Sequence, residues 1–244
     1  MRSSPSRRAE LQRLGRFPFA HRGLHGGALV ENSGSAIAAA VEQGFGVELD
    51  VQLSGDGQAM VFHDYELDRL TGGKGPVAAL ASAELQAIPL RRCGEAMPRL
   101  AEALAIVGGR APLLIEVKSP DRHLDRLCAA VAKALAGYEG PVAVMSFNPQ
   151  VGAWFARYAA SVVRGLVVTE SGRRGPRGWI ERPLALWRAR ADFLAYDVRD
   201  LPSRFAGAAR RRGLPVYTWT VRSDSDRARA EAHADQIIFE AAPG

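Results

Sequence analysis

Cysteine and lysine are both scarce in this sequence. Cys93 and Cys128 are its two cysteines, and their wide separation excludes a disulfide framework or a paired-cysteine metal site. Of the 32 basic residues only three are lysines, so the net charge of +6 comes from arginine. Positive charge attracts anionic partners. It is scattered here without a nucleic-acid motif, and a GC-rich genome produces the same excess of arginine, so we expect no nucleic-acid partner.

Long apolar runs are also absent. The first 16 residues are basic and polar and lack the apolar segment of a signal peptide. No later run approaches the length of a membrane span. The hydrophobic content of 47% is nevertheless enough for one sizeable core in 244 residues. We therefore expect a cytoplasmic protein with a flexible basic arm over residues 1–16 and one domain over residues 17–244.

Short apolar runs alternate with alanine-rich stretches, as in repeated strand–helix units. The predicted strands are Phe17–Ala20, Gly46–Leu53, Ala59–His63, Pro112–Val117, Val142–Ser146, Val162–Val168, Phe193–Tyr196, Val216–Thr220 and Gln236–Phe239. The predicted helices are Ser33–Gln43, Pro98–Val107, His123–Ala136, Pro149–Tyr158, Pro202–Arg212 and Ser225–Ala232. This alternation predicts an α/β fold, a TIM-type (β/α)8 barrel, which is ordinary for this chain length.

An open doubly wound sheet is the alternative architecture. It calls for a glycine-rich phosphate loop after the first strand. The stretch His21–Gly27 is glycine-rich but lacks the required glycine order, and a Walker lysine is absent. The stretch over residues 64–110 is long for a βα connection and predicts a small insertion over the barrel mouth.

A hairpin explains why nine strands are predicted when the barrel has places for eight. A Ser-Gly-Asp-Gly turn signal joins Leu53 to Gln58 and is too short for a parallel crossover. The strand after the turn is therefore expected to return antiparallel to the strand before it. If Leu53 pairs with Gln58, the register carries back until Glu48 lies opposite His63.

Polar residues occupy the carboxyl ends of the predicted strands, where TIM barrels build active sites. His21 and Arg22 follow the first strand; a histidine can transfer protons and an arginine can hold a phosphate. Glu48 and Asp50 alternate with apolar residues on the second strand, so both carboxylates share a face. Alternatively, these polar groups are simply solvated at the strand ends. The apolar neighbours of Glu48 and Asp50 argue against that interpretation.

Glu116 and Lys118 share a face of the strand over Pro112–Val117 in the same way. Buried carboxylates repel each other, and a divalent cation with oxygen ligands is the simplest remedy. Glu116 could add a third ligand, and Lys118 could hold a phosphoryl oxygen. A salt bridge between the two residues is an equally good interpretation of this strand taken alone.

Five further polar or aromatic residues are candidates for the same site. His63 ends the hairpin strand and could be a second proton carrier. Glu31 and Asn32 follow the first strand, where capping of a helix is the alternative role for Asn32. Phe147 and Trp219 end two later strands and are candidate pocket walls, with core packing as the alternative. Together, these residue types are the inventory for metal-assisted phosphoryl transfer.

The same residues resemble the glycerophosphodiester phosphodiesterase family over nearly the whole chain beyond residue 16. The shared motifs are His21-Arg22-Gly23, Glu31-Asn32, Glu48-x-Asp50, Asp56-Gly57, His63-Asp64, Leu67-Asp68-Arg69-x-Thr71, Glu84-Leu85, Glu116-x-Lys118, Ser146-Phe147 and Trp219-Thr220-Val221. Arg222 departs from the usual asparagine after Trp-Thr-Val. The stretch Ala234–Glu240 replaces the usual glycine-rich ending with aspartate, and these two departures affect the pocket wall.

The resemblance implies a metal-dependent barrel enzyme that hydrolyses glycerophosphodiesters to an alcohol and sn-glycerol 3-phosphate. The family often uses a glycerol hydroxyl of the substrate as nucleophile, through a cyclic phosphate, so a protein nucleophile is not required. The cofactor implied is a divalent cation: Mg²⁺, Ca²⁺ or Mn²⁺. The implied roles are metal binding by Glu48, Asp50 and Glu116, proton transfer by His21 and His63, and phosphate binding by Arg22 and Lys118. Phe147 and Trp219 are further candidates for substrate binding, and Glu31 and Asn32 are candidates for a supporting role.

Two alternative functions stay open on the sequence. The arginine-rich, tryptophan-bearing stretch Ser171–Arg190 could make a weak peripheral contact with a membrane. Such contact favours a lysophospholipid or another lipid phosphodiester as the substrate. A catalytically silent barrel that binds a phosphate ligand is the second alternative, although such a binder has no need of two proton carriers. The sequence carries no signal for an oligomeric state.

Overall fold

One sheet of nine strands closes on itself, because β1 pairs with both β2 and β9. The computed structural model describes residues 5–119 and 124–241. The strands are β1 (Phe19–Ala20), β2 (Gly46–Leu53), β3 (Ala59–Val61), β4 (Leu113–Val117), β5 (Val142–Ser146), β6 (Val163–Val168), β7 (Phe193–Asp197), β8 (Val216–Val221) and β9 (Gln236–Phe239). The barrel pairings are parallel and β3 lies antiparallel on β2, so the TIM-type barrel is confirmed and the open sheet is excluded.

Helices follow most of the barrel strands and surround the sheet. They are α1 (Pro5–Leu14), α2 (Gly34–Glu42), α3 (Ser82–Ala87), α4 (Leu100–Val107), α5 (Leu124–Leu135), α6 (Pro149–Tyr158), α7 (Pro176–Ala189), α8 (Arg204–Arg211) and α9 (Asp224–His233). The helix predicted over His123–Ala136 corresponds to α5, and its predicted first residue, His123, lies outside the described residues. None of the helices in the described ranges is long and apolar enough to cross a membrane.

Strand alternation divides β2 between two environments. Val47, Leu49 and Val51 face the surrounding helices and belong to the largest apolar cluster. Glu48 and Asp50 lie between them on the other face and are also buried. Successive side chains of a strand point to opposite sides, so apolar packing on the outside fixes both carboxylates inside the barrel.

The hairpin of β2 and β3 differs by one residue from the predicted register. Leu53 pairs with Ala59, where the sequence predicted Leu53 opposite Gln58. The Phe62 amide donates to the Asp50 carbonyl at 3.0 Å. The prediction that Glu48 lies opposite His63 is therefore wrong by one position.

The length of the turn explains this shift. The Ser54 amide donates to the Gln58 carbonyl at 2.9 Å, and the Ser54 hydroxyl accepts a hydrogen bond from the Gln58 amide at 2.8 Å. The loop therefore contains three residues instead of four. Gly57 has a φ of 87°, in the left-handed region that a three-residue hairpin requires at this position.

The segment between β3 and α4 has a small apolar core of its own. Its buried residues are Phe62, Leu67, Val77, Leu85, Leu90 and Met97. It contains a 3₁₀ turn over Val77–Ala79 and helix α3. Helix α4 packs against α2 as part of the barrel layer. The insertion predicted for residues 64–110 therefore ends before α4.

Helix α1 occupies the segment for which the sequence predicted a flexible arm. Leu11 and Leu14 are buried and join the interior apolar cluster of the barrel, which includes Tyr217. Arg7 donates to the Ser161 carbonyl at 2.8 Å. The prediction of an arm is therefore wrong for residues 5–14, while residues 1–4 lie outside the described residues. The apolar end of the barrel interior requires a cover, and two leucines three positions apart supply it.

Replacement of Leu14 by alanine tests this packing. We expect Leu14→Ala to lower the free energy of unfolding by about 2–4 kcal/mol, because the side chain is fully buried and leaves a cavity. Urea denaturation of the purified chain measures the change. The control is Arg13→Ala, an exposed position of the same helix, which should change stability by less than about 0.5 kcal/mol. Equal stability of Leu14→Ala and wild type would contradict a packed α1.

Candidate active site

A cavity of about 360 Å³ opens at the carboxyl ends of the barrel strands. Its lining combines charged groups with two aromatic side chains. The residues predicted from the sequence that line it are His21, Arg22, Glu48, His63, Glu116, Lys118, Phe147 and Trp219. Asp50 lies directly behind this lining, in contact with both Arg22 and Lys118. The structure thus brings the predicted residues together in one place.

Three buried carboxylates form the deepest part of the site. Glu48 and Asp50 lie two positions apart on β2, and Asp50 is paired in register with Glu116 on β4. One oxygen from each of the three carboxylates lies within 4.8 Å of the others. The side chains of Glu48 and Asp50 are each 1% exposed. The arrangement concentrates negative charge where little water can screen it.

Burial and mutual repulsion separate the pKa values of these acids. Burial, together with the charges of Asp50 and Glu116, raises the pKa of Glu48 well above its usual range. Burial also raises the pKa of Glu116. At Asp50 burial is outweighed by Lys118 and Arg22, which lower its pKa. The negative charge of the cluster is therefore held most firmly at Asp50.

Two cations lie beside the acid cluster. Lys118 Nζ is 2.6 Å from Glu116 Oε1 and 3.1 Å from Asp50 Oδ1. Arg22 Nε is 3.3 Å from Asp50 Oδ2. Burial disfavours charged Lys118, but the neighbouring carboxylates outweigh it and raise its pKa, so the ammonium stays protonated. The salt bridge between Glu116 and Lys118, which the sequence left open as an alternative, is therefore present as part of a larger charged cluster.

The backbone at Arg22 also contributes to the site. Arg22 has a φ of 56°, in the left-handed region that is strained for a side chain of this size. In this conformation its amide donates to Glu48 Oε2 at 3.0 Å. Its guanidinium donates to Glu31 Oε1 at 2.7 Å. Glu31 therefore fixes the side chain of Arg22 while the backbone of the same residue fixes Glu48.

His21 is oriented by a carboxylate from the last strand end. Its Nδ1 lies 2.7 Å from Glu240 Oε1, and its Nε2 lies 3.9 Å from Glu48 Oε2. Burial lowers the pKa of His21. Arg222 donates to Glu240 at 2.6 and 2.7 Å. The hydrogen bonds from His21 and Arg222 outweigh burial and hold the pKa of Glu240 well below its usual range.

His63 has a comparable partner on the other side of the cavity. Its Nδ1 lies 2.7 Å from Asp64 Oδ1, and burial lowers the pKa of the imidazole. Arg69 bridges Asp64 and Glu31, with its Nε donating to Asp64 Oδ2 at 2.6 Å. Hydrogen bonds from Arg69 and His63 outweigh burial and lower the pKa of Asp64 to about 2. Both histidines thus hold Nδ1 against a carboxylate and leave Nε2 for another partner.

Asn32 supports the acid cluster and does not cap the helix that follows it. Its Nδ2 donates to Asp50 Oδ2 at 3.0 Å, and its Oδ1 accepts from the Asp50 amide at 3.2 Å. The N-cap of α2 is Ser33, whose hydroxyl accepts from the Ala36 amide. The capping alternative for Asn32 is therefore excluded, and its amide orients one of the buried acids.

An aromatic pair forms part of the cavity wall. The rings of Phe147 and Trp219 are 5.5 Å apart at an interplanar angle of 87°. Trp219 is anchored by a hydrogen bond from Nε1 to the Ala195 carbonyl at 2.9 Å. Phe147 is 46% exposed, so a large part of its surface faces the open cavity. This exposure argues against core packing as the role of Phe147.

Sequence reasoning missed four residues that hold the site together. Glu240 and Asp64 each contact a histidine, while Arg222 and Arg69 contact those carboxylates in turn. Asp64 and Arg69 belong to motifs quoted from the sequence, so a signal for them existed. Glu240 lies 219 positions from His21, and no local pattern connects the two.

Comparisons with known proteins match most of this chain. The family model described as "Glycerophosphoryl diester phosphodiesterase family" matches residues 21–241. A glycerophosphodiester phosphodiesterase of Caldanaerobacter subterraneus is 29% identical over 236 residues, which cover 90% of this chain and 92% of the relative.

Solved structures share both the fold and part of the sequence. An Oleispira antarctica phosphodiesterase in complex with the product sn-glycerol-3-phosphate is 26% identical, with a TM-score of 0.81 over 92% of this chain and 93% of the other. A glycerophosphodiester phosphodiesterase from Agrobacterium tumefaciens is also 26% identical, with a TM-score of 0.70 over 92% of this chain and 95% of the other. The family match extends over most of the chain and contains the whole cavity lining, so this chain belongs to the glycerophosphoryl diester phosphodiesterase family.

Proposed function

We propose that this chain hydrolyses glycerophosphodiesters to an alcohol and sn-glycerol 3-phosphate, with a divalent cation held by Glu48, Asp50 and Glu116. The observation that carries the proposal is the meeting of three buried carboxylates with two histidines and two cations at one cavity. A silent phosphate binder is less well supported, because it has no use for two histidines that are each fixed by a carboxylate.

The donor set fits a divalent cation. Glu48 Oε1 is buried and has no hydrogen-bond partner among the described residues. An unpartnered buried carboxylate oxygen is costly, and a cation removes the cost. Carboxylate oxygens are the ligands that Mg²⁺, Ca²⁺ and Mn²⁺ accept. When bound, such an ion supplies positive charge that polarises the phosphoryl group and stabilises its transition state.

Arg22 and Lys118 are proposed to bind the phosphate. Both lie against Asp50, so their side chains are held at the edge of the acid cluster and do not move freely in solvent. The phosphodiester carries one negative charge, and a guanidinium and an ammonium offset the charge that develops during transfer. Phe147 and Trp219, which also line the cavity, are proposed to contact the apolar parts of the substrate.

His21 and His63 are proposed to carry the protons. One histidine accepts the proton of the attacking hydroxyl, and the other donates a proton to the oxygen of the departing alcohol. The lowered pKa of each imidazole favours the neutral form that a base needs. The negative phosphodiester favours protonation of a histidine beside it, as an acid needs. A glycerol hydroxyl of the substrate is the proposed nucleophile: it displaces the alcohol and leaves a cyclic phosphate. Water then opens the cyclic phosphate to glycerol 3-phosphate, with the two histidines in exchanged roles. The protein therefore needs only to bind, orient and transfer protons.

Release of glycerol 3-phosphate after metal removal tests the proposed function. We expect the chelated chain to lose turnover of glycerophosphocholine and glycerophosphoethanolamine, and to regain it with Mg²⁺, Ca²⁺ or Mn²⁺. The restoring ion should also raise the melting temperature, because it binds the folded state alone. Absence of turnover with every ion would contradict the proposed reaction. Full turnover in the presence of chelator would contradict the metal site.

Replacement of Glu48 by glutamine separates function from stability. We expect Glu48→Gln to reduce turnover about a hundredfold or more, since a proposed metal ligand is lost. Without metal its melting temperature should rise by about 2–4 °C, because one buried, repelling charge is removed. Glutamine Oε1 can still accept from the Arg22 amide. The control is Glu231→Gln, an exposed acid of α9, which should change neither quantity. A less stable, fully active Glu48→Gln would rule out the acid cluster as the metal site.

Glu240 is expected to act by positioning His21. Removing His21 itself should cost on the order of a hundredfold or more in rate. For Glu240→Ala we expect kcat to fall about tenfold or more with little change in KM, because the imidazole loses its orientation while substrate contacts remain. Glu240→Asp retains a carboxylate and should recover part of kcat. Equal losses in both variants, matched by equal losses of stability, would indicate a structural role only.

A further inference from the structure

Helix α7 presents large apolar side chains to solvent. Ile180 and Trp187 are 71% and 72% exposed, and Trp179 and Leu184 are 65% and 51% exposed. Isolated exposed apolar residues are normal on a protein surface, but a contiguous group of this size marks an interaction site. These four residues, with Arg177 and Arg188 beside them on the same helix, are called the α7 surface below.

The exposed apolar residues lie on one side of the helix. Ile180, Leu184 and Trp187 have the four- and three-residue spacing of a single helical face. Arg182 and Ala189 are buried on the opposite side, against the rest of the barrel. The inner side of the helix therefore packs against the barrel, whereas the side chains of the outer apolar stripe lie largely in solvent in the described part of the chain.

The segment that carries this stripe is strongly basic. Residues 171–190 contain six arginines and one glutamate, which gives a net charge of +5. Arg173, Arg174 and Arg177 have side chains that are 68%, 72% and 88% exposed. Two of them share Glu181, and Arg174 pairs with Asp200, so the acids nearby offset only part of the charge. Apolar side chains flanked by arginines are the pattern of helices that lie in a membrane interface.

The segment just before α7 contacts the rim of the cavity described above. Arg174, just before the helix, donates to Asp200 Oδ1 at 3.0 Å. Asp200 ends the 3₁₀ turn Val198–Asp200, whose Val198 and Arg199 line the cavity. The start of α7 is therefore the end of the helix that lies nearer to the cavity.

We propose that the α7 surface binds anionic lipid membranes. Tryptophan is favoured at the boundary between headgroups and acyl chains, where its ring has apolar and polar neighbours. The arginines complement the negative surface of anionic lipids. A second copy of this chain is a poorer occupant, because a twofold contact would bring the exposed arginines of one copy against those of the other. This inference does not depend on the reaction proposed for the cavity.

Vesicle cosedimentation of the full chain tests the inference. The vesicles contain phosphatidylcholine alone or phosphatidylcholine with phosphatidylglycerol. We expect binding to the anionic vesicles and not to the neutral ones, with weaker binding at higher salt. Tryptophan emission should shift to shorter wavelength on binding, because Trp179 and Trp187 leave water.

Matched variants identify the surface responsible. The double variant Trp179→Ser with Trp187→Ser should lose about tenfold or more in vesicle affinity. It should keep the wild-type melting temperature, because both side chains are exposed. Tyr65→Ser removes another exposed aromatic, on the far side of the barrel beside β3, and should bind vesicles as wild type does.

Several results would overturn the inference. They are absence of binding to anionic vesicles, wild-type affinity in the double variant, preference for DNA over vesicles at the same salt, and a dimer that the double variant dissociates. Turnover of soluble glycerophosphocholine is measured in parallel and should match wild type in the double variant. Failure of turnover in every variant would count against the proposed reaction and not against membrane binding.

Discussion

Repulsion between buried carboxylates is the constraint on which the site depends. Glu48, Asp50 and Glu116 hold oxygens within 4.8 Å of one another inside the barrel. Charges in such a place destabilise the fold unless they are paired, and Lys118 and Arg22 are the lysine and arginine that pair with them among the described residues. Two cations do not balance the charge of three carboxylates. One oxygen of Glu48 also lacks a hydrogen-bond partner among the described residues. The proposed divalent cation would offset this remaining charge, so the repulsion that disfavours burial of the three acids would also favour binding of the cation.

The barrel holds these repelling groups in place through the outer faces of the same strands. Val47, Leu49 and Val51 alternate with the acids and belong to the largest apolar cluster. To separate the carboxylates, β2 would have to move, and these side chains would lose their contacts with the surrounding helices. Each fully buried aliphatic side chain contributes roughly 1.5–3 kcal/mol. Apolar packing on one face of a strand therefore offsets charge repulsion on the other.

Local patterns made most of this arrangement predictable, and distant contacts account for the rest. Period-two alternation identified the strands and the inward acids, because it depends on neighbouring residues alone. The hairpin register was wrong by one residue, since Gly57 and the Ser54 hydroxyl set a three-residue loop that composition does not reveal. Helix α1 was missed because its sequence is mostly polar and its order comes from two leucines that cover the barrel interior. The partner of His21 was missed because it lies at the other end of the chain.

The two departures from the family pattern are in direct contact in the folded chain. Arg222 stands where asparagine is usual, and Glu240 ends the stretch that replaces the usual glycine-rich ending. The guanidinium of Arg222 donates to both oxygens of Glu240, and Oε1 of the same carboxylate contacts His21. A carboxylate that contacted His21 alone would pivot about one hydrogen bond, whereas a bidentate arginine fixes its plane. The arginine therefore orients the carboxylate that orients the imidazole, and a substitution at either position is expected to change the requirement at the other.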